Sequence, residues 1–430
     1  MKKYLFFALA AVGMLSSCTS DDIVSDGKKN VDNGELVPIR IGMGQSVGAT
    51  RGSGTVGGFD DTSDNLWDQQ EVRIYMLHRD SMAFAQFDEG TGAAKYNIYN
   101  NALFTTPNGV QTGIATPNDH KIEYYPSQGK FDFWGYRLDD AQIVAGPTFD
   151  PIDAEDTNNE SADSLFVDFK INGSQDVMVA KAVPTTDGPE SDIAKLNNSG
   201  IEGAANRYYS AFAARWGVQP DLRFRHKLTR LTFEVVPGNM STVNAESPVI
   251  VDSILVTSPV QGRLVIAKRG NETPEQQQVI WWDKENTEEV ALMQRAAGAT
   301  AKDAMVELED VSLAGKGALA DPLDPESDFV PETVSVGEAL LLAPEVASYP
   351  VKIVLHQPSN RSLDSTDKTD ILYTYETEIP APVADGLFKE GYSYKVQIKL
   401  WGLTDIKVTT TLTKWENGED ISIAPEDINE

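Results

Sequence analysis

One cysteine stands among 430 residues, Cys18, so neither a disulfide nor a site of several thiolates can form within the chain. There are four histidines, His78, His120, His226 and His356. None lies within helical reach of another, which excludes an H-E-x-x-H metal site. Basic residues are scarce, 36 against 65 acidic ones, and the net charge is −29. Such a surface repels nucleic acid and anionic lipid headgroups, and no nucleic-acid partner is expected. No apolar run reaches the ~20 residues that a spanning helix needs. What remains is an acidic chain with 41% hydrophobic residues, enough to build cores and too many for a disordered tail. Its length suits two or three domains, held by packing and sheet pairing. Nothing in it calls for a cofactor or a metal.

The first residues follow the plan of a secretory leader. Lys2 and Lys3 are a short positive region, and Tyr4 to Met14 is apolar or small throughout. Leu15-Ser16-Ser17-Cys18 then matches a lipobox, in which small residues precede the cysteine that is acylated. The expectation is a signal peptide over 1–17 and a lipidated polar tether over 18–35. The membrane contact would run through acyl chains on Cys18, each buried CH₂ contributing ~0.8 kcal/mol.

Beyond the tether the dominant pattern is period-two alternation, the mark of half-buried strands. Val37, Ile39, Ile41 and Met43 alternate with Pro38, Arg40 and Gly42. Phe131 and Phe133 alternate with Lys130 and Asp132, and Ile371, Tyr373, Tyr375, Thr377 and Ile379 form one face of another strand. Tyr392, Tyr394, Val396, Ile398 and Leu400 precede Trp401-Gly402, after which Ile406, Val408, Thr410 and Leu412 resume the rhythm. That pair predicts a C-terminal antiparallel hairpin. Leu222 to Val235 reads as one strand that changes face through a bulge near Thr229-Arg230. Helical spacing is confined to Gly203 to Trp216 and to the Ala-rich stretch Glu288 to Ala301. Gly44 to Asp64 and the acidic stretch Asp139 to Asp168 read as loops. The turn-rich segment Pro237 to Ser247 is the expected boundary between an N-terminal β-sandwich domain, 36–240, and a C-terminal one, 241–430. The fold class is therefore all-β with minor helical insertions.

Chemistry is thin. His226 sits on an apolar strand face, as a hydrogen-bonded core histidine would. Gly44-Gln45-Ser46-Val47-Gly48 fits G-x-S-x-G, but a Gly/Thr loop follows where a nucleophile elbow needs a helix. Asp150, Asp153, Glu155, Asp156, Glu160 and Asp163 lack the spacing and central glycine of a calcium loop and read as a solvated run. Trp281 and Trp282 are adjacent, so a strand would point one of them away from the core as a contact surface. No catalytic residue is expected.

Several segments resemble the fimbrillin family, the type V pilus subunits and related surface lipoproteins of Bacteroidota. Lys121 to Arg137 (KIEYYPSQGKFDFWGYR) looks like the family's Tyr-Pro turn and aromatic strand. Asp176 to Ala182 (DVMVAKA) and Leu222 to Gly238 (LRFRHKLTRLTFEVVPG) look like two further family strands. Tyr392 to Asp420 (YSYKVQIKLWGLTDIKVTTTLTKWENGED) is similar to the C-terminal hairpin ending in T-x-W, and Ser20-Asp21-Asp22 to the acidic signal for the outer face of the outer membrane.

The resemblance implies two tandem transthyretin-like β-sandwiches and surface delivery as a lipoprotein. It also implies cleavage after an arginine, loss of the N-terminal strand and its replacement by a strand from another subunit. Carried onto this chain, the displaced strand is Val37, Ile39, Ile41 and Met43, and the cleavage site is Arg51. The donor is either Ile406, Val408, Thr410 and Leu412 or the tail Ile421 to Ile423. The implied partners are other fimbrial subunits and a host or bacterial surface receptor or glycan. The implied location is the outer membrane surface, then the fimbrium. Long insertions at Asp139 to Asp168 and Pro184 to Gln219 leave stalk, tip and anchor roles open. A non-polymerising glycan-binding lipoprotein is the alternative. Asp80-Ser81-Met82, Asp163-Ser164-Leu165 and Asp252-Ser253-Ile254 also resemble the short O-glycosylation acceptor of this phylum.

Overall fold

The computed structural model describes residues 36–45, 67–78, 86–87, 94–95, 98–110, 112–126, 129–149, 164–189, 191–198, 208–268, 273–296, 305–308, 310–324, 327–358, 371–382, 386–403 and 405–413. Cys18, Ser46, Arg51, the acidic run 150–163 and the tail 421–423 lie outside them.

Strands dominate, as the alternation predicts, and the chain is all-β with short helices at Asp192–Asn198, Ala211–Arg215 and Pro274–Gln277. No helix among the described residues is long and apolar enough to cross a membrane. The strands build four main sheets. The first has eight strands in the order Thr112–Ile114, Gly42–Gln45, Asp221–His226, Met178–Lys181, Phe131–Arg137, Glu71–His78, Ala102–Thr105, Thr116–Pro117. The second runs Gln142–Phe149, Ser164–Lys170, Gln261–Lys268, Ile280–Trp282. The third runs Val334–Leu342, Thr229–Pro237, Ser393–Leu400, Ile406–Thr413. The fourth runs Thr287–Ala291, Ile250–Pro259, Ser348–Gln357, Ile371–Pro380, with Val311–Ser312 also paired to Ile250–Pro259.

The first sheet is buried on both faces. Ile74, Met76, Phe131, Phe133, Met178, Ala180, Leu222 and Phe224 point into one core, closed by Trp67, Tyr209 and the helical residues Leu196, Ala211 and Ala213. Tyr75, Leu77, Trp134, Tyr136, Val177 and Val179 point into the other, against Leu165, Val167, Phe169, Leu264 and Ile266 of the second sheet. That second core continues into the third and fourth sheets through Leu231, Phe233, Val256, Ile353, Tyr394 and Val396. The half-buried strand expected at Phe131 is thus buried on both sides. Its sequence, FDFWGYR, loses the alternation after Phe133 because both faces are covered.

Other expectations change with this layering. Asp221–His226 and Thr229–Pro237 are not one bulged strand. The chain leaves the first sheet at His226 and enters the third at Thr229, so the parity change marks a switch of sheet. Thr287–Ala291 and Met293–Arg295 are strands where Ala-richness suggested a helix, because Val290 and Leu292 alternate into the core. Gln142–Phe149 and most of Ser164–Lys170 are strands where the sequence read as an acidic loop; Leu165, Val167 and Phe169 are the buried face of the second, while Ile143 and Val144 of the first are exposed. Pairing also crosses residue 240. Among the described residues Thr229–Pro237 pairs only with later strands, Val334–Leu342 and Ser393–Leu400, while Gln261–Lys268 reaches back to Ser164–Lys170.

Burial of tyrosines ties the fold to pH. Desolvation pushes the Tyr99 and Tyr136 phenols up to about 12, and raises Tyr75, Tyr125, Tyr209 and Tyr349 further. Unfolded tyrosines ionise near pH ~10. Above that pH the folded state holds more protons than the unfolded one, so stability is complete below it and falls as pH rises. Urea midpoints should drop steadily above pH ~10. An unchanged midpoint well into alkali would contradict the burial of these phenols.

Candidate assembly groove

Residues 36–45 run between two stretches far away in sequence. On one side the segment bonds to 112–125: the Ile39 amide donates to the Glu123 carbonyl at 2.9 Å, and the Tyr125 amide to the Val37 carbonyl at 2.9 Å. The Ala115 amide donates to the Ile41 carbonyl at 3.0 Å. On the other side the Gly42 amide donates to the Pro220 carbonyl at 2.9 Å. From there the strand runs parallel to Asp221–His226, Gly42 opposite Asp221 and Gln45 opposite Phe224. Gln219 bridges the entrance: its Nε2 donates to the Pro38 carbonyl at 3.3 Å, and its Oε1 accepts from the Arg40 amide at 3.3 Å.

Alternation decides what the segment buries. Ile39, Ile41 and Met43 are buried in the same core as Phe131, Phe133, Leu222 and Phe224, and Val37 packs at its margin. Gly42 and Gly44 face the other way. A Cβ on Gly44 would lie 3.0 Å from Thr112 Cγ2 and 2.9 Å from Arg223 Nη1, so the glycine lets both neighbours close over the strand. The Gly42–Gln45 strand is one strand in from the edge, where the three-residue strand Thr112–Ile114 covers it, and residues 37–41 are flanked on that side by 115–125. Gly44 lies in this strand, while Ser46 falls outside the described residues.

The C-terminal hairpin forms as the alternation predicts. Ser393–Leu400 and Ile406–Thr413 pair over eight positions, from Ser393 opposite Thr413 to Leu400 opposite Ile406. Ile406 is buried, Val408 and Leu412 pack against the core, and Thr410 shares their face. All four stand in the edge strand of the third sheet, remote from the 36–45 segment in sheet order.

Trp281 and Trp282 divide as expected. Trp281 is 58% exposed, whereas Trp282 packs edge-on against Phe169 with ring centroids 5.6 Å apart. His226 is buried, its Nδ1 2.8 Å from Asp176 Oδ1. Sequence reasoning missed Gln219 and Thr112, whose roles depend on pairings across the chain. A lone glutamine or threonine carries no signal of such a contact.

The described residues form an all-β chain whose first strand is held between segments remote in sequence, with no catalytic constellation among them. Residues 61–415 match the fimbrillin-like family model, and the chain belongs to that family of fimbrial proteins, which are not enzymes. Among solved structures it is similar to a protein of Bacteroides uniformis assigned provisionally to cell adhesion, with 12% identity over 90% of this chain and 100% of that one and a TM-score of 0.40. It is also similar to the fimbrial anchor protein of Porphyromonas gingivalis, with 8% identity over 87% of this chain and 98% of that one and a TM-score of 0.28. No curated protein sequence matches it.

Proposed function

We propose that the chain is a structural or adhesive subunit of a cell-surface fimbria, exported as a lipoprotein through Cys18 and assembled by strand exchange after cleavage at Arg51. The observation that carries this reading is the 36–45 segment. It is bound along both edges to residues remote in sequence, it buries Ile39, Ile41 and Met43, and Arg51 follows it within a few residues. Removing it would open the edge of Asp221–His226 and an apolar slot beneath. Only another strand with the same alternation refills both, because main-chain bonds supply strength and alternate side chains supply register. Such cuts concentrate at exposed loop tips, and Arg51 stands in a sequence rich in Gly, Ser and Thr, as loops are.

Around this step stand a signal peptide over 1–17, a lipidated tether over 18–35 and two transthyretin-like sandwiches over 36–240 and 241–430, exchanging strands across residue 240. The subunit would sit on the outer membrane surface and, once cut, in the fimbrium, with other fimbrial subunits as partners. Of the two donor candidates, the tail with Ile421 and Ile423 is favoured. Freeing Ile406–Thr413 would break eight paired positions in its own sheet. Limited digestion with a trypsin-like protease tests the scheme. Cleavage near Arg51 followed by SDS-resistant ladders is expected, and a trimmed protein that stays monomeric at high concentration would refute polymerisation.

A second reading, a monomeric glycan-binding lipoprotein, is favoured by one feature, the exposed ring of Trp281. Trp281→Ala should change stability by less than ~0.5 kcal/mol, as exposed substitutions do. Trp282→Ala should destabilise more, because it removes the ring packed on Phe169. A glycan array on which the wild type binds and Trp281→Ala does not would support the second reading over the first.

A further inference from the structure

A bulge gathers three chemically distinct groups at one end of the fourth sheet. Val251 pairs with Leu355 and Ser253 with Val354, so Asp252 is the extra residue and its side chain is turned off the core side. His356, at the end of the neighbouring strand, pairs with Ile250. Asp310 directly precedes Val311–Ser312, which pairs with Ile250 and Val251 from the other flank. The three side chains thus come from adjacent strands, and one donor atom from each lies within 4.8 Å of the others.

The details point to a missing cation. His356 Nδ1 lies 2.8 Å from Asp252 Oδ1, and Nε2 lies 4.0 Å from Asp310 Oδ2. The imidazole side chain is only 9% exposed. Asp252 Oδ2 is buried and accepts no hydrogen bond, although a buried carboxylate oxygen ordinarily takes one or more. Besides His356, the group that approaches the Asp252 carboxyl is a second carboxylate, Asp310. Among the described residues, His356 is the sole basic side chain in ion-pair range of either aspartate. Two carboxylates beside an imidazole therefore face one another with a buried lone pair uncommitted.

We propose that Asp252, Asp310 and His356 form a binding site for a divalent first-row transition metal of the zinc class. One imidazole nitrogen and two carboxylate oxygens suit Zn²⁺, with a fourth position left for water. Calcium and magnesium prefer all-oxygen sets. Bonds of ~2.0–2.2 Å bring ligand atoms closer than the present spread. Asp310, 66% exposed, is the side chain with room to move in. The ion would clamp three strands at the end of the sheet in a chain whose single cysteine rules out a disulfide there.

The test is a titration of the chelator-treated full-length protein with ZnCl₂, followed by calorimetry and by thermal unfolding, with MgCl₂ and CaCl₂ in parallel. One equivalent of Zn²⁺ should bind, and a hundredfold excess over Kd should raise Tm by roughly 5–10 °C. Asp310→Asn, a surface change that leaves the core intact, should weaken Zn²⁺ binding at least tenfold. His356→Asn should abolish it if that variant folds. The Co²⁺-loaded protein should show visible bands that Asp310→Asn removes. Absence of stoichiometric Zn²⁺ binding, binding untouched by Asp310→Asn, or equal affinity for Ca²⁺ would each overturn the proposal.

Discussion

A chain beginning at residue 52 is expected to lose much of its stability and to form SDS-resistant ladders, while the full-length protein does neither. Deleting the preceding segment removes Val37, Ile39, Ile41 and Met43 from the core they share with Phe131, Phe133 and Phe224. Ile39, Ile41 and Met43 are fully buried and Val37 partly so; at ~1.5–3 kcal/mol for each fully buried side chain the three give about 4.5–9 kcal/mol, an upper figure because unfolded chains are partly compact. That rivals the whole stability of an ordinary domain, ~5–15 kcal/mol. The backbone groups of Glu123, Tyr125, Ala115 and Pro220 lose their partners at the same time. A synthetic peptide spanning 36–45 should restore the melting temperature and block the ladders. A peptide with lysine at Ile39 and Ile41 should do neither. If the truncated chain melted with the intact one and stayed monomeric, the segment would be decoration and the exchange scheme would fail.

The second large effect lies where the first and third sheets join. Asp176 is fully buried and pairs with His226 at 2.8 Å. Arg137 donates to the Asp176 carbonyl at 3.3 Å and to Asp139 Oδ1 at 2.8 Å, and Asp139 Oδ2 accepts from the Asp176 amide at 3.2 Å. Next in sequence, Lys227 pairs with Glu390, which leads into the Ser393–Leu400 strand of the third sheet, and burial lowers the lysine below its ordinary range. Asp176→Ala strands a buried guanidinium and imidazole with one carboxylate between them. Breaking a buried pair from one side costs ~3–5 kcal/mol. With ~2–4 °C per kcal/mol for units of this size, Tm should fall by about 10 °C. Asp176→Asn keeps the shape and one acceptor and should lose less. Adding His226→Leu to Asp176→Ala should recover part of the loss, since removing both partners is milder than removing one. Urea denaturation reads all three. An Asp176→Ala midpoint indistinguishable from wild type would mean that the cluster contributes nothing.

Legibility followed contact distance along the chain. The C-terminal hairpin was readable because Tyr394, Val396, Ile398 and Leu400 alternate and their partners Ile406, Val408, Thr410 and Leu412 follow after a short turn. His226 and the split of Trp281 from Trp282 were readable because strand parity alone decides them. Phe131–Arg137 was half legible, since covering both faces erases the alternation that signals a strand. The strand at Thr287–Ala291 was hidden by alanines and glutamates that favour helix locally, and Val290 and Leu292 overrode them through burial. The neighbours of 36–45 were not legible at all, because Gln219 and Tyr125 meet it only after the sheet has closed. The Asp252, Asp310 and His356 cluster was invisible for the same reason, and a bulge has no dependable sequence signature.

The direction of one strand has a mechanical consequence. Gly42–Gln45 runs parallel to Asp221–His226, and the chain leaves His226 toward the third sheet. A pull on the N-terminal side of the segment, resisted through the C-terminal half, drags these two strands along each other in opposite senses. Their bonds are then loaded together in shear, not peeled one after another as in a hairpin drawn from its open end. The hairpin Ser393–Leu400 with Ile406–Thr413 has the opposite geometry and would unzip from its free end at Thr413. Single-molecule pulling between residue 36 and the C-terminal half should therefore rupture at a higher force than pulling that opens the hairpin. Equal forces would show that strand direction does not govern the load.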